Sequence, residues 1–183
     1  MATPVIIVTS DYWLVGTVPS TDRRIQDVLR DEGSDYVCLH DVQVCSTARQ
    51  HAHVATLSQS LTPKSQIELV ILPASKHEAP TKRLNNLSPR ECSHVFATIG
   101  PYRVEGMLHL PSLSNNPTYT LSNQIGRFFA VTEATLKPGG PKPLTVPVLF
   151  VNRDRLGCFS LGEPAAAPSE TAVPSEEQLV GQV

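Results

Sequence analysis

The stretch Pro4-Val-Ile-Ile-Val-Thr-Ser-Asp-Tyr12-Trp-Leu-Val-Gly16 lies over His94-Val-Phe-Ala-Thr-Ile-Gly-Pro-Tyr102-Arg-Val-Glu-Gly106 at a constant offset of 90. Tyrosine and glycine coincide, and most apolar positions agree. A second block follows in the same order: Asp35-Tyr-Val-Cys-Leu-His-Asp41-Val-Gln-Val44 over Arg127-Phe-Phe-Ala-Val-Thr-Glu133-Ala-Thr-Leu136, now at an offset of 92. The two extra residues have a visible source, since the second copy reads Met-Leu-His-Leu-Pro111 where the first has the shorter Thr-Val-Pro19. The third block places Glu68-Leu-Val-Ile-Leu-Pro-Ala-Ser-Lys76 over Pro147-Val-Leu-Phe-Val-Asn-Arg-Asp-Arg155, with a longer insertion before it in the first copy. Three blocks in one order, at so long a period, read as two copies of one unit rather than as a solenoid.

Each block is rich in β-branched and aromatic residues and bounded by turn formers, so the chain reads as mainly β. Val5–Thr9 and Val95–Ile99 open the two units, and Ser10-Asp11 or Gly100-Pro101 turn each into a hairpin. Gly16 and Gly106, at equivalent places inside the second strand, predict a bulge or a sharp bend. Between Thr21 and Gly33, the apolar residues Ile25, Val28 and Leu29 share a helical face. Ser20, Thr21 or Asp22 can cap this short helix and Gly33 can stop it. The second copy, over Thr118–Gly126, has room for a turn or two. A strand, a loop and then Ile67–Leu72 or Val146–Val151 complete the order, and only the second copy offers a last strand, Leu156–Leu161.

The expected architecture is therefore two tandem small β-barrel units of the SH3 or Sm kind, each with a short helix. The first, divergent copy occupies residues 3–80, a linker 81–91, the second copy 92–161, and a disordered acidic tail 162–183. In the second unit, the runs Tyr102-Arg-Val-Glu-Gly-Met-Leu-His-Leu-Pro111, Arg127-Phe-Phe-Ala-Val-Thr-Glu-Ala134 and Val148-Leu-Phe-Val-Asn-Arg-Asp-Arg-Leu156 resemble an uncharacterised family of short bacterial β-rich domains. The resemblance covers residues 102–156 and reaches the first copy in outline only, where Trp13, Asp35 and the shortened Thr17-Val-Pro19 depart from the pattern. It implies a fold and carries no activity or catalytic residues with it.

Composition bounds the function. With 183 residues and 40% apolar content the chain can bury compact cores, and 17% charged residues with a net charge of −2 exclude a polybasic protein. The tail carries four of the seventeen acidic residues and no basic one, leaving a body with 15 basic against 13 acidic residues. Its Pro, Ala, Ser and Glu cannot offset the entropy of ordering. Four scattered cysteines, Cys38, Cys45, Cys92 and Cys158, fit reduced thiols, and the N-terminus has no basic signal-peptide region, so a cytoplasmic location is expected.

Several polar groups invite chemistry. Cys38-Leu-His40, Cys92-Ser-His94 and His51-Ala-His53 have a spacing that on a strand puts both side chains on one face, as a zinc site needs. Yet Ala130 and Thr132 replace Cys38 and His40 in the second copy, and no Cys-x-x-Cys is present. No nucleophile elbow occurs, and Gly139-Gly140 between two prolines lacks the lysine of a phosphate loop. No catalytic, cofactor or metal residue is therefore assigned. Asp41 and Glu133 take equivalent places and read as strand-end acids that accept turn hydrogen bonds or pair with arginine. Arg103, Arg127, Arg153 and Arg155, with Lys76, Lys82, Arg83 and Arg90 at the junction, offer a modest basic patch. The expectation is a non-enzymatic adaptor or assembly subunit that binds a protein through an open strand edge, the one left by the first copy's missing last strand, with no membrane role. The alternatives are a nucleic-acid-binding regulator and a zinc-stabilised module.

Overall fold

The structure, a computed structural model, describes residues 2–19, 24–48, 52–73, 91–110, 116–137 and 143–162. Strands hold 64% of the described residues, which bears out the β reading. Ten strands follow in chain order: Ala2–Val8 (β1), Tyr12–Pro19 (β2), Tyr36–Ser46 (β3), His53–Pro63 (β4), Leu69–Ile71 (β5), Glu91–Ile99 (β6), Tyr102–Leu110 (β7), Phe128–Lys137 (β8), Leu144–Asn152 (β9) and Cys158–Leu161 (β10). A helix, Ile25–Arg30 (α1), precedes β3, and a helical turn, Pro117–Tyr119 (α2), running into a π-helical turn at Thr120–Gln124, precedes β8.

All ten strands form one antiparallel sheet in the order β10-β6-β7-β8-β9-β5-β1-β2-β3-β4. The two closed barrels expected from the sequence are replaced by a single open sheet, because β5 of the first half pairs with β9 of the second instead of leaving each half to close on itself.

The centre of that sheet is buried on both faces, as its near-continuous apolar runs require. Leu69, Ile71, Leu149 and Val151 point into one core with Val8 and the apolar residues of β6–β8, among them Val95, Ile99 and Val104. Val70, Val148 and Phe150 point the opposite way, into a core built on Ile7, Leu14, Val37 and Leu39 and covered by Ile25 and Leu29 of α1. The β6–β8 half thus wraps one face of the central strands and the β1–β3 half the other. Each fully buried aliphatic or aromatic side chain here is worth about 1.5–3 kcal/mol.

Ladders of one half recur in the other. Val5 faces Gly16 as Val95 faces Gly106. Thr17 faces His40 as Met107 faces Thr132, each beside a shift of register. The bulge expected inside the second strand sits in the strand facing it, where β3 and β8 carry the extra residue opposite Gly16 and Gly106. A Cβ on Gly106 would lie 2.6 Å from Val131 Cγ1 and 2.7 Å from the Thr132 carbonyl, so the bulged strand comes too close for any side chain. Asp41 and Glu133 are the bulge residues themselves, both at φ 51°, in mid-strand and exposed. They are not the strand-end acids anticipated: the inserted residue must turn left-handed to keep the strand in step.

The third sequence block is corrected outright. Ile67–Leu72 and Val146–Val151 are not equivalent; β5 and β9, which they contain, are neighbours, with Leu69 facing Val151 and Ile71 facing Leu149. The counterpart of β9 is β4, since Tyr36 faces Pro63 where Phe128 faces Asn152. The last strand thought missing from the first copy is β5, for Leu69 pairs with Val8 as Cys158 pairs with Thr98. The sequence match followed burial on both faces, a property of the sheet centre, and so aligned two adjacent strands.

On α1, Ile25 and Leu29 are buried and Val28 packs beside them, as the helical face predicted. The capping candidates Ser20, Thr21 and Asp22 lie outside the described residues; Arg24 occupies the cap, its N–H donating to Asp27 at 3.2 Å. Glu91, assigned to the linker, begins β6; residues 81–90 and 163–183 lie outside the described residues.

Polar contacts tie the halves together. Asn152, fully buried, donates to the carbonyls of Ile67 at 2.6 Å and Lys64 at 3.3 Å. Trp13 Nε1 donates to the Tyr102 hydroxyl at 2.8 Å. Ser10 Oγ donates to the buried carboxylate of Glu68 at 2.9 Å and lies 3.3 Å from Arg155 Nη2, which donates to it.

Candidate functional site

The residues singled out for chemistry are spread by the fold. Cys38 Sγ lies 3.6 Å from His40 Nε2 on β3 and accepts from Gln59 Nε2 at 3.1 Å. Cys92 does not pair with His94. Across the β6·β7 ladder its thiol meets His109 Nδ1 at 3.1 Å, and His109 Nε2 lies 2.8 Å from Thr132 Oγ1. His53 lies 2.9 Å from Thr56 Oγ1, while His51 and Gly139-Gly140 fall outside the described residues. Among the described residues no three His, Cys, Asp or Glu side chains converge as a metal would need.

The arginines do not form an open basic patch. Arg103 pairs with Glu105, Arg127 lies 3.2 Å from Asp154, and Arg153 donates to the carbonyls of Leu121 and Ile125. Burial alone would push the Glu105 carboxyl up, but the hydrogen bond and charge of Arg103, with Lys137 beside it, hold it below its usual range. Burial raises the Tyr102 phenol above its ordinary value, against the hydrogen bond from Trp13. The junction residues Lys76, Lys82, Arg83 and Arg90 lie outside the described residues.

A cavity of about 350 Å³ lies between α1 and the start of β8, lined by Arg30, Asp31, Asp35, Lys64 and Arg127 among others. Cations and carboxylates line it together, and the buried Lys64 Nζ donates to the Asp31 carbonyl at 2.6 Å. Opposed charges in one wall cancel the potential that would concentrate a charged ligand. No helix among the described residues is long and apolar enough to cross a membrane.

The feature that stands apart is the outer edge of β4. It ends the sheet and runs eleven residues, His53-Val-Ala-Thr-Leu-Ser-Gln-Ser-Leu-Thr-Pro63, with no Asp, Glu, Lys or Arg and no proline before the last position. Sheet edges are ordinarily blunted by charge, proline, bulges or brevity; β4 has only a register shift between His53 and Ala55 and the terminal Pro63. Apolar side chains stand open along it, Leu61 at 63% exposure and Val54 at 55%, with Tyr36 of the adjacent β3 at 52%. Two of the three have closed counterparts in the second half: Phe150 takes the place of Leu61 and is 4% exposed, and Phe128 takes the place of Tyr36 and is 1% exposed. The difference is the strand beyond. β9 has β5 on its outer side, and among the described residues β4 has nothing.

The sequence predicts a loop where this strand stands. Its signal was there in weak form, an uninterrupted run without glycine, charge or internal proline, but a strand open along one edge lacks the apolar run of a central one. No protein-family model, curated protein or solved structure matches the chain.

Proposed function

We propose that the chain is a non-enzymatic assembly module, made of two duplicated β-rich units of the short bacterial type, that binds protein by adding a strand to the outer edge of β4. Support for the duplication comes from ladder registers that recur between the halves. The observation that carries the binding reading is the exposure of Leu61 where its counterpart Phe150 is covered by an added strand. Strand addition draws affinity from main-chain hydrogen bonds and specificity from alternate side chains, and an uncharged edge with open leucines supplies both.

The test is site-specific photo-crosslinking in living cells. A photoreactive residue at Gln59, on β4, is expected to give discrete protein adducts, and one at Arg103, on β7, is expected to give none. Adducts equally abundant at both positions, or absent from both, would refute the proposal. Steeply salt-dependent retention of nucleic acid by the purified protein, lost when Arg127 and Arg155 are changed to Ala, would favour the nucleic-acid reading instead.

A further inference from the structure

Within the chain, the outer edges of β9 and β5 are already joined, and among the described residues the same two edges occur once more, unjoined, at the two ends of the sheet. β10 holds toward β6 the place β5 holds toward β1: Gly157 donates its N–H to the Thr98 carbonyl at 2.8 Å, as Glu68 does to the Val8 carbonyl at 2.8 Å. β4 holds toward β3 the place β9 holds toward β8, Lys64 donating its N–H to the Asp35 carbonyl at 2.8 Å as Arg153 does to that of Arg127 at 2.7 Å. The protein thus carries, as open ends, both members of a junction that it builds internally.

We infer that β10 of one copy adds to β4 of a second copy, antiparallel, in the register that β5 takes on β9. This rests on the reading of β4 as the binding edge and names its occupant. Carrying the Leu69–Val151, Val70–Phe150 and Ile71–Leu149 pairs onto their counterparts sets Cys158 opposite Thr62, Phe159 opposite Leu61 and Ser160 opposite Ser60.

The side chains suit this pairing. Phe159 is half-buried and packs on the edge of its own core, so Leu61 and Tyr36 of the next copy extend that core as Phe150 and Phe128 extend the other one. The opposite face joins small groups only. Neither β10 nor β4 bears a charge that would be stranded by the contact. One hydrogen bond of the internal junction is not reproduced, because Asn152 donates its N–H to the Glu68 carbonyl and its counterpart Pro63 has none to give. With fewer apolar pairs and one bond fewer, the junction between copies is weaker than the internal one.

The two edges differ, so the contact is head-to-tail. Repeated, it closes into a ring or extends into a filament, according to the rotation between copies.

The test uses the exposed native Cys158 in the full chain. In a non-hydrogen-bonded antiparallel pair the Cα atoms stand about 4.5 Å apart, within disulfide reach. Thr62→Cys is expected to give, on mild oxidation, a ladder of disulfide-linked dimers and higher species that vanishes in Thr62→Cys/Cys158→Ser. Sedimentation of the wild-type chain is expected to show concentration-dependent association. Leu61→Lys, at an open position that the fold does not need, is expected to weaken it at least about tenfold with an unchanged circular dichroism spectrum. Disulfide-linked species that persist in Thr62→Cys/Cys158→Ser mean that position 62 meets its own counterpart or another thiol, such as the exposed Cys92, and overturn the inference. So does a wild-type chain that stays monomeric together with a Thr62→Cys variant that forms no disulfide to Cys158; if Gln59 still crosslinks to another protein in cells, the binding edge stands and only its occupant is wrong.

Discussion

Replacing Gly106 by alanine tests the bulge on which both halves turn. The added methyl would sit 2.6 Å from Val131 Cγ1, 2.7 Å from the Thr132 carbonyl oxygen and 3.1 Å from Ala134 Cα. Two of the three atoms are backbone, in a strand hydrogen-bonded on both sides, so relief requires the β7·β8 ladder to open. Overpacking of this kind costs about 1–3 kcal/mol, and the upper end applies where backbone must move. Alanine recovers about 0.5–1 kcal/mol of the conformational cost of glycine in a strand. The net loss is therefore about 2 kcal/mol, a fall in Tm of roughly 4–8 °C for a chain of this size. Gly16→Ala is the internal comparison. Its nearest contact is 2.9 Å, to the His40 carbonyl, and the next are 3.4 and 3.5 Å. The same reasoning gives about 1 kcal/mol or less there. Urea unfolding followed by circular dichroism measures both. Equal losses, or a larger loss for Gly16→Ala, would refute the steric account.

Glu133→Gly should stabilise the protein by about 0.5–1 kcal/mol, because a glutamate at φ 51° bears a left-handed strain that glycine does not; Asp41→Gly should gain less, since a short polar side chain tolerates that region. Denaturant midpoints lower than wild type in both would contradict this. Asn152→Ala should cost about 2–4 kcal/mol, since it leaves two carbonyls at the centre of the sheet without their donor, and a midpoint unchanged from wild type would show those bonds to be dispensable. Tyr102 has its pKa raised by folding, so its contribution is complete below its unfolded value of 10.0 and is lost as pH rises through the higher folded value. Thermal unfolding across that alkaline range should fall more steeply for wild type than for Tyr102→Phe, and parallel curves would refute the assignment.

The legible part of the molecule was what local chemistry dictates. Tyr12 and Tyr102, with glycine four positions on, marked matching hairpins and their bulges, because a strand that admits no side chain must carry glycine there. Ile25, Val28 and Leu29 marked α1 through their period. The open edge of β4 was not legible in the same way. Leu57 and Leu61 read as loop residues because a strand with one open edge needs no continuous apolar run, and openness belongs to the sheet order rather than to the strand.

By itself, then, the chain's sequence determined a mainly β protein, its two matching hairpins, its bulge glycines and its short first helix. Tertiary structure alone decided that the halves share one sheet. That Leu69–Ile71, paired with β1 of its own half, also bridges to Leu149–Val151 depends on which apolar faces can be buried together. That is a long-range choice, made by two cores on opposite faces of the same strands, and residues adjacent in the chain do not record it.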